Sequence, residues 1–209
     1  MTGIFNNLKL KIEELILRKM KRAEPGTLFF PEQFRDLGEN TAIRKAFQRL
    51  SQNGKITRVT QGMYVIPKES LLLGKIMPGA EDVAEAIAKR DRARIIPTGA
   101  QALNLLGLST QVPMKIVYLT DGASRIVKVV KQTIKFKKTA PKNLTTIGPI
   151  STLVIQALKM IGKGKVSEIE LNKISEHLKK EKRKNILHDM QLAPVWIAEI
   201  MRMAIKTKE

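Results

Sequence analysis

Cysteine is missing from all 209 residues, so disulfide bridges, thiol nucleophiles and thiolate metal sites are excluded. Aromatic residues amount to only 4% of the chain, which leaves an interior of Leu, Ile, Val and Met. Base stacking on a platform of exposed rings is therefore excluded as the main mode of binding. Histidine occurs twice, at His177 and His188. On one uninterrupted helix that spacing is about 16 Å, too far to share a metal ion. Both are read as surface histidines, and no Cys, His or carboxylate set has metal-ligand spacing. Long hydrophobic runs are lacking too. No stretch reaches the roughly 18 apolar residues that a membrane span needs. The opening "MTGIFNNLKLKIEELILRKMKR" mixes charge with apolar residues where a signal peptide has a continuous apolar core. The reading is a soluble, cytoplasmic protein with no membrane partner.

Acidic residues are the last shortage, 19 against 38 Lys and Arg, for a net charge of +19. An excess of that size creates a positive potential that attracts polyanions, and nucleic acid is the first partner to consider. The excess is not a tail. Lys and Arg outnumber Asp and Glu by 13 to 7 in residues 1–70, 13 to 5 in residues 71–145 and 12 to 7 in residues 146–209.

The apolar pattern predicts a first helix over about Ile4 to Arg22, then a short one at "PEQFRDL", Pro31 to Leu37, closed by Gly38. Asn40 is placed as the N-cap of a third helix, in which Ile43, Ala46, Phe47 and Leu50 fall on one face at helical spacing. Asn53 and Gly54 stop it. "KITRVT" and "MYVI" then read as two strands of a hairpin turning at Gln61 and Gly62. Three helices followed by a two-stranded ribbon make a winged helix-turn-helix. The third helix turns Thr41, Lys45 and Gln48 outward, flanked by Arg44 and Arg49, and the wing adds Arg58, Thr60 and Gln61. Arg and Lys suit guanine and phosphate, Gln suits adenine, and Thr suits backbone or methyl groups. From Asn40 to Gln61 there is no acidic residue.

Beyond a hinge at "KESLLLGKIMPG", a helix over about Ala80 to Lys89 precedes the strand "RARIIPT", the short helix "GAQALNLLG" and the strand "MKIVYLTDG". The run "ASRIVKVVKQTIKFKKTAPK" reads as further strand. In it Arg125, Lys128, Lys131, Lys135, Lys137 and Lys138 occur without any carboxylate, and they form a second candidate surface for anions; edge-strand lysines that block aggregation are the alternative. The last third, "ISTLVIQALKMIG", "VSEIELNKISEHLKKEKRKNILHDMQL" and "APVWIAEIMRMAIK", is helical. The fold class is α+β, with a winged helix-turn-helix over residues 1–70, a small α/β domain over 71–148 and C-terminal helices over 149–209.

Enzymatic chemistry finds no support. "GKGK" at Gly162 to Lys165 lacks the spacing of a phosphate loop, and no nucleophile is paired with a base. No catalytic residue, metal or cofactor is expected. The remaining classes are a double-stranded DNA-binding protein, an RNA-binding accessory protein using the Arg125 to Lys142 surface, and a winged-helix adaptor for an acidic protein.

"GKITRVTQGMYVIP" together with "RIIPTGAQALNLLGLSTQVPMKIVYLTDG" resembles the AbiEi-like antitoxins of type IV toxin-antitoxin systems, over about Leu28 to Leu144. The helices from about Val166 onward match none of that pattern. The resemblance implies a transcriptional autorepressor whose winged helix binds inverted repeats in its own promoter. It also implies functional opposition to a nucleotidyltransferase-like toxin without a stable complex. On this chain it places the DNA-reading role on Thr41, Arg44, Lys45, Gln48, Arg58 and Gln61.

Overall fold

The computed structural model describes residues 11–72, 74–129 and 132–206. Among them the fold is α+β, and the chain divides into two compact units, residues 1–83 and 84–209.

In the first unit, α1 (Ile12–Lys21) precedes the short strand β1 (Leu28–Phe29), a 3₁₀ helix (Pro31–Leu37) and α2 (Asn40–Gln52). The part of the first expected helix before residue 11 lies outside the described residues. β2 (Thr57–Thr60) and β3 (Met63–Val65) form the expected hairpin, and β1 adds to the free edge of β3 in the order β1-β3-β2. β1 was not foreseen, since two residues are too few to show an alternating pattern. Asn40 is not the N-cap of α2. Glu39 holds that position in extended conformation and makes no side-chain cap bond, so Asn40 is the first helical residue.

What fixes α2 is its buried stripe. Ile43, Ala46, Phe47 and Leu50 pack with Ile16 and Met20 of α1, with Phe34 and with Tyr64 of β3. Each large side chain so buried stabilises by about 1.5–3 kcal/mol, far more than a missing cap costs. Despite the scarcity of aromatics, four line up in this one core. Phe29 meets Phe34 at 5.8 Å, Phe34 meets Phe47 at 5.1 Å and Phe47 meets Tyr64 at 4.9 Å between ring centroids. Gly54, with φ 66°, ends the helix, and Gly62, with φ 70°, turns the hairpin. That left-handed backbone costs a residue with a Cβ about 1–2 kcal/mol.

The stretch expected as a hinge is a second hairpin, β4 (Lys68–Ser70) with β5 (Gly74–Ile76). Leu71 and Leu72 stand fully exposed at its tip.

Helix α3 (Ala80–Asp91) crosses the boundary between the units. Beyond it, β6 (Ile95–Pro97), β7 (Lys115–Thr120), β8 (Arg125–Val129) and β9 (Gln132–Lys138) build a four-stranded sheet in the order β6-β7-β9-β8, and α4 (Ala100–Leu105) joins β6 to β7 along the chain. β7 and β9 are parallel, and the outer pairs are antiparallel. The run from Ala123 to Lys142, expected as further strand, holds β8 and β9 and then enters a 3₁₀ helix, Pro141–Leu144. Helices α5 (Pro149–Ile161), α6 (Glu168–Leu178), α7 (Arg183–Leu192) and α8 (Val195–Lys206) follow. The long helix expected over residues 166–192 is broken into α6 and α7, so His177 and His188 sit on different helices. Val154, Leu158, Ile174, Leu178, Ile186, Ile197 and Met201 form the aliphatic core of these helices with Ala102 and Leu106.

Candidate nucleic-acid interface

The buried stripe of α2 decides what its other side presents. With Ile43, Phe47 and Leu50 turned inward, Thr41, Arg44, Lys45, Gln48 and Arg49 are all exposed. Of the wing residues, Arg58 and Gln61 are exposed, while Thr60 is half-buried where a register shift interrupts the pairing of β2 with β3. The Arg58 Nε donates to the Thr60 carbonyl at 3.3 Å, which lays that side chain along its own strand.

Two acidic side chains reach this face from elsewhere in the chain. Arg44 Nη2 lies 3.4 Å from Glu32 Oε1 of the 3₁₀ helix, and Arg49 Nε lies 2.5 Å from Glu13 Oε1 of α1. Glu39 is exposed at the start of α2. The stretch from Asn40 to Gln61 contains none of the three: Glu13 and Glu32 belong to preceding elements that the fold packs against α2, and Glu39 is the N-cap residue just ahead of it.

The lysine-rich strands divide by the two-residue alternation of a sheet, in which directly paired residues share a face. Lys135 of β9 pairs with Val117 and Ile126, Lys137 with Leu119, and Thr133 with both Lys115 and Lys128. Lys115, Lys128, Lys135 and Lys137 therefore share one face. Lys115 was not named from the sequence, although its place at the outward start of the alternating "KIVYLT" run was a usable signal. Among the described residues no carboxylate pairs with any of the four.

Arg125 and Lys138 do not join them. Arg125 pairs with Phe136 on the opposite, buried face, where Asp91 of α3 holds its guanidinium by an ion pair and the Phe136 ring lies 5.3 Å away. Burial, and then the charge of Arg90, lowers its pKa from the ordinary arginine value. Lys138 pairs with Thr120 on that same side. Lys131 lies outside the described residues.

A family model matches residues 15–186, described as a family of unknown function, DUF6088. The chain belongs to the DUF6088 family. No curated protein matches it. The match takes in the residues of α2, the wing and the lysine face, and it runs on through α5 and α6 into α7, beyond the Leu28 to Leu144 span of the resemblance drawn from the sequence.

Elsewhere in this DUF6088 protein the charged groups hold structure together. Asp189 is 0% exposed and accepts from the Ile147 and Gly148 amides at 2.9 Å each and from the Ser151 hydroxyl, with His188 Nδ1 also at 2.9 Å. Burial pushes its carboxyl up, but the bonds from Ser151, His188, Ile147 and Gly148 outweigh that and hold it below the ordinary carboxylate value. Glu181, in the turn between α6 and α7, accepts from the Ile150 amide at 2.9 Å, so it and Asp189 of α7 satisfy the start of α5. Asp121 is likewise held low by the Arg94 side chain, with the Arg94 amide adding to it.

His177 Nε2 lies 2.9 Å from the Leu106 carbonyl and is half-buried, a structural rather than a surface role. A cleft of about 510 Å³ between β6 and the start of α5 is lined mainly by aliphatic side chains. None of the site residues predicted from the sequence lines it. Among the described residues no cluster of three His, Cys, Asp or Glu could hold a metal ion, and no helix is long and apolar enough to cross a membrane.

Proposed function

We propose that this DUF6088 chain is a sequence-specific DNA-binding protein whose first unit works as a winged helix-turn-helix. In this reading α2 enters the major groove, β2 and β3 form the wing, and the 3₁₀ helix Pro31–Leu37 stands in for the helix that crosses the backbone. The observation that carries it is the division of α2. Ile43, Ala46 and Phe47 are wholly buried, while Thr41, Arg44, Lys45, Gln48 and Arg49 line the open side with the chemistry that reads base edges and phosphates. The lysine face of the sheet adds contacts that hold a phosphate backbone without reading sequence.

The resemblance of Pro97 to Asn104 and of the wing to AbiEi-like antitoxins extends this to a biological role: autorepression through inverted repeats in the promoter and functional opposition to a nucleotidyltransferase-like toxin. It is the residue pattern, rather than any relative of known function, that supports this part.

Selection of duplexes from a random pool by the full-length chain tests the reading. A consensus should emerge, and engagement of about five phosphates should give a log–log salt slope of about −4 to −5. Recovery of no consensus, or a preference for structured RNA over every duplex, would overturn it.

A further inference from the structure

The arginines of α2 are not free cations. In both Arg44–Glu32 and Arg49–Glu13 the carboxylate is the better anchored partner, with 37% and 28% of the Glu32 and Glu13 side chains exposed against 68% and 57% for the arginines. Glu32 Oε2 is buried, so this side chain is held against the body of the first unit and does not extend into solvent.

An acid beside a polyanion-binding face opposes generic binding, because every nearby phosphate repels it. A guanidinium, however, has five N–H donors in a rigid fork, and one bond to a glutamate leaves enough of the fork for a bidentate contact to the O6 and N7 of guanine. Two outcomes therefore differ in energy. A phosphate that reaches either arginine meets the negative charge of its glutamate, whereas a base edge carries no net charge for the glutamate to repel.

Resting on the DNA-binding reading above, we propose that Glu32 and Glu13 are specificity-determining positioning residues. They hold the Arg44 and Arg49 forks for base reading and withhold them from the phosphate backbone. Discrimination built this way uses a repulsive element beside the attractive one, and the repulsion acts on every wrong sequence. The sequence cannot display the device, since the paired residues stand 12 and 36 positions apart.

The test uses the full-length chain and duplexes recovered from the random pool. Glu32→Gln and Glu13→Gln should each tighten binding to a random duplex, steepen its salt slope by about one unit and lower the preference at one guanine position by about tenfold. The position relaxed by Glu32→Gln should be the one relaxed by Arg44→Ala. Glu39→Gln removes the same charge beside the same helix but touches no arginine in the described contacts. It should tighten all duplexes alike and leave base preference intact. Thermal melting should change little in all three variants, because the glutamine keeps the shape of each side chain and a half-exposed ion pair contributes little to folding.

The inference is overturned if Glu32→Gln and Glu13→Gln behave like Glu39→Gln, or if neither changes base preference. A wild-type chain that selects no consensus at all overturns both the inference and the reading beneath it, and the two failures are thereby told apart.

Discussion

The two units place their carboxylates in opposite ways. In the first, Glu13, Glu32 and Asp36 lie on the outside, each against a cation, and the interior is a row of aromatic rings. In the second, Asp189 is sealed inside, Glu181 satisfies the start of α5, and Asp91 and Asp121 are drawn to Arg125 and Arg94. Among the described residues, Lys115, Lys128, Lys135 and Lys137 of the sheet have no carboxylate paired with them. Local charge balance, rather than total charge, separates a face suited to discrimination from one suited to indiscriminate attraction.

The comparison can be broken first through the cores. Phe47→Ala removes the ring between Phe34 and Tyr64 and should cost about 3–5 kcal/mol in urea unfolding of the first unit. A smaller cost, near that of a surface change, would mean that the aromatic row is not what holds α2 in place. Asp189→Asn should destabilise the second unit by about 2–3 kcal/mol, because an amide cannot accept from all the donors now converging on the carboxylate.

The acid response follows the same residue. A carboxyl whose folded-state pKa is depressed stabilises above its unfolded value, and that contribution is lost as pH falls through the folded value. Melting temperature followed from neutral pH down through the carboxylate range should drop in the wild type, and Asp189→Asn should remove part of that drop.

The two faces proposed to bind differ by smaller energies. Arg44→Ala should weaken a selected duplex by about ten- to a hundredfold and erase one base preference, read by competition against the random pool. Lys135→Ala combined with Lys137→Ala should weaken every duplex alike and make the salt slope shallower by about two units. If the lysine pair altered base preference instead, the division of labour between the faces would be wrong.

Much of this was readable from the amino-acid order, and the misses share a cause. The α2 stripe is a local, periodic signal, so the exposure of Arg44, Lys45 and Gln48 could be derived from the spacing of Ile43, Phe47 and Leu50. The Gln61–Gly62 turn was legible for the same reason. What escaped was non-local. Glu13 and Glu32 reach the α2 face only through tertiary packing, and Arg125 is drawn away by Asp91, 34 positions earlier. Alternation did place Lys135 and Lys137 on one side of β9, but the company of Lys115 and Lys128 depends on strand order, which periodicity does not specify. Likewise, the break between α6 and α7 coincides with a distant contact, Glu181 accepting from the Ile150 amide 31 positions earlier, which no local pattern announces.

The bare leucines at the tip of the β4–β5 hairpin have a practical corollary. Molecules carrying +19 keep one another at a distance in dilute buffer, and that mutual repulsion is what added salt removes. Leu71 and Leu72 are indifferent to such screening. A high-salt wash meant to strip adhering polyanions therefore also disarms the protein's main defence against clumping, leaving its oiliest knuckle in full view.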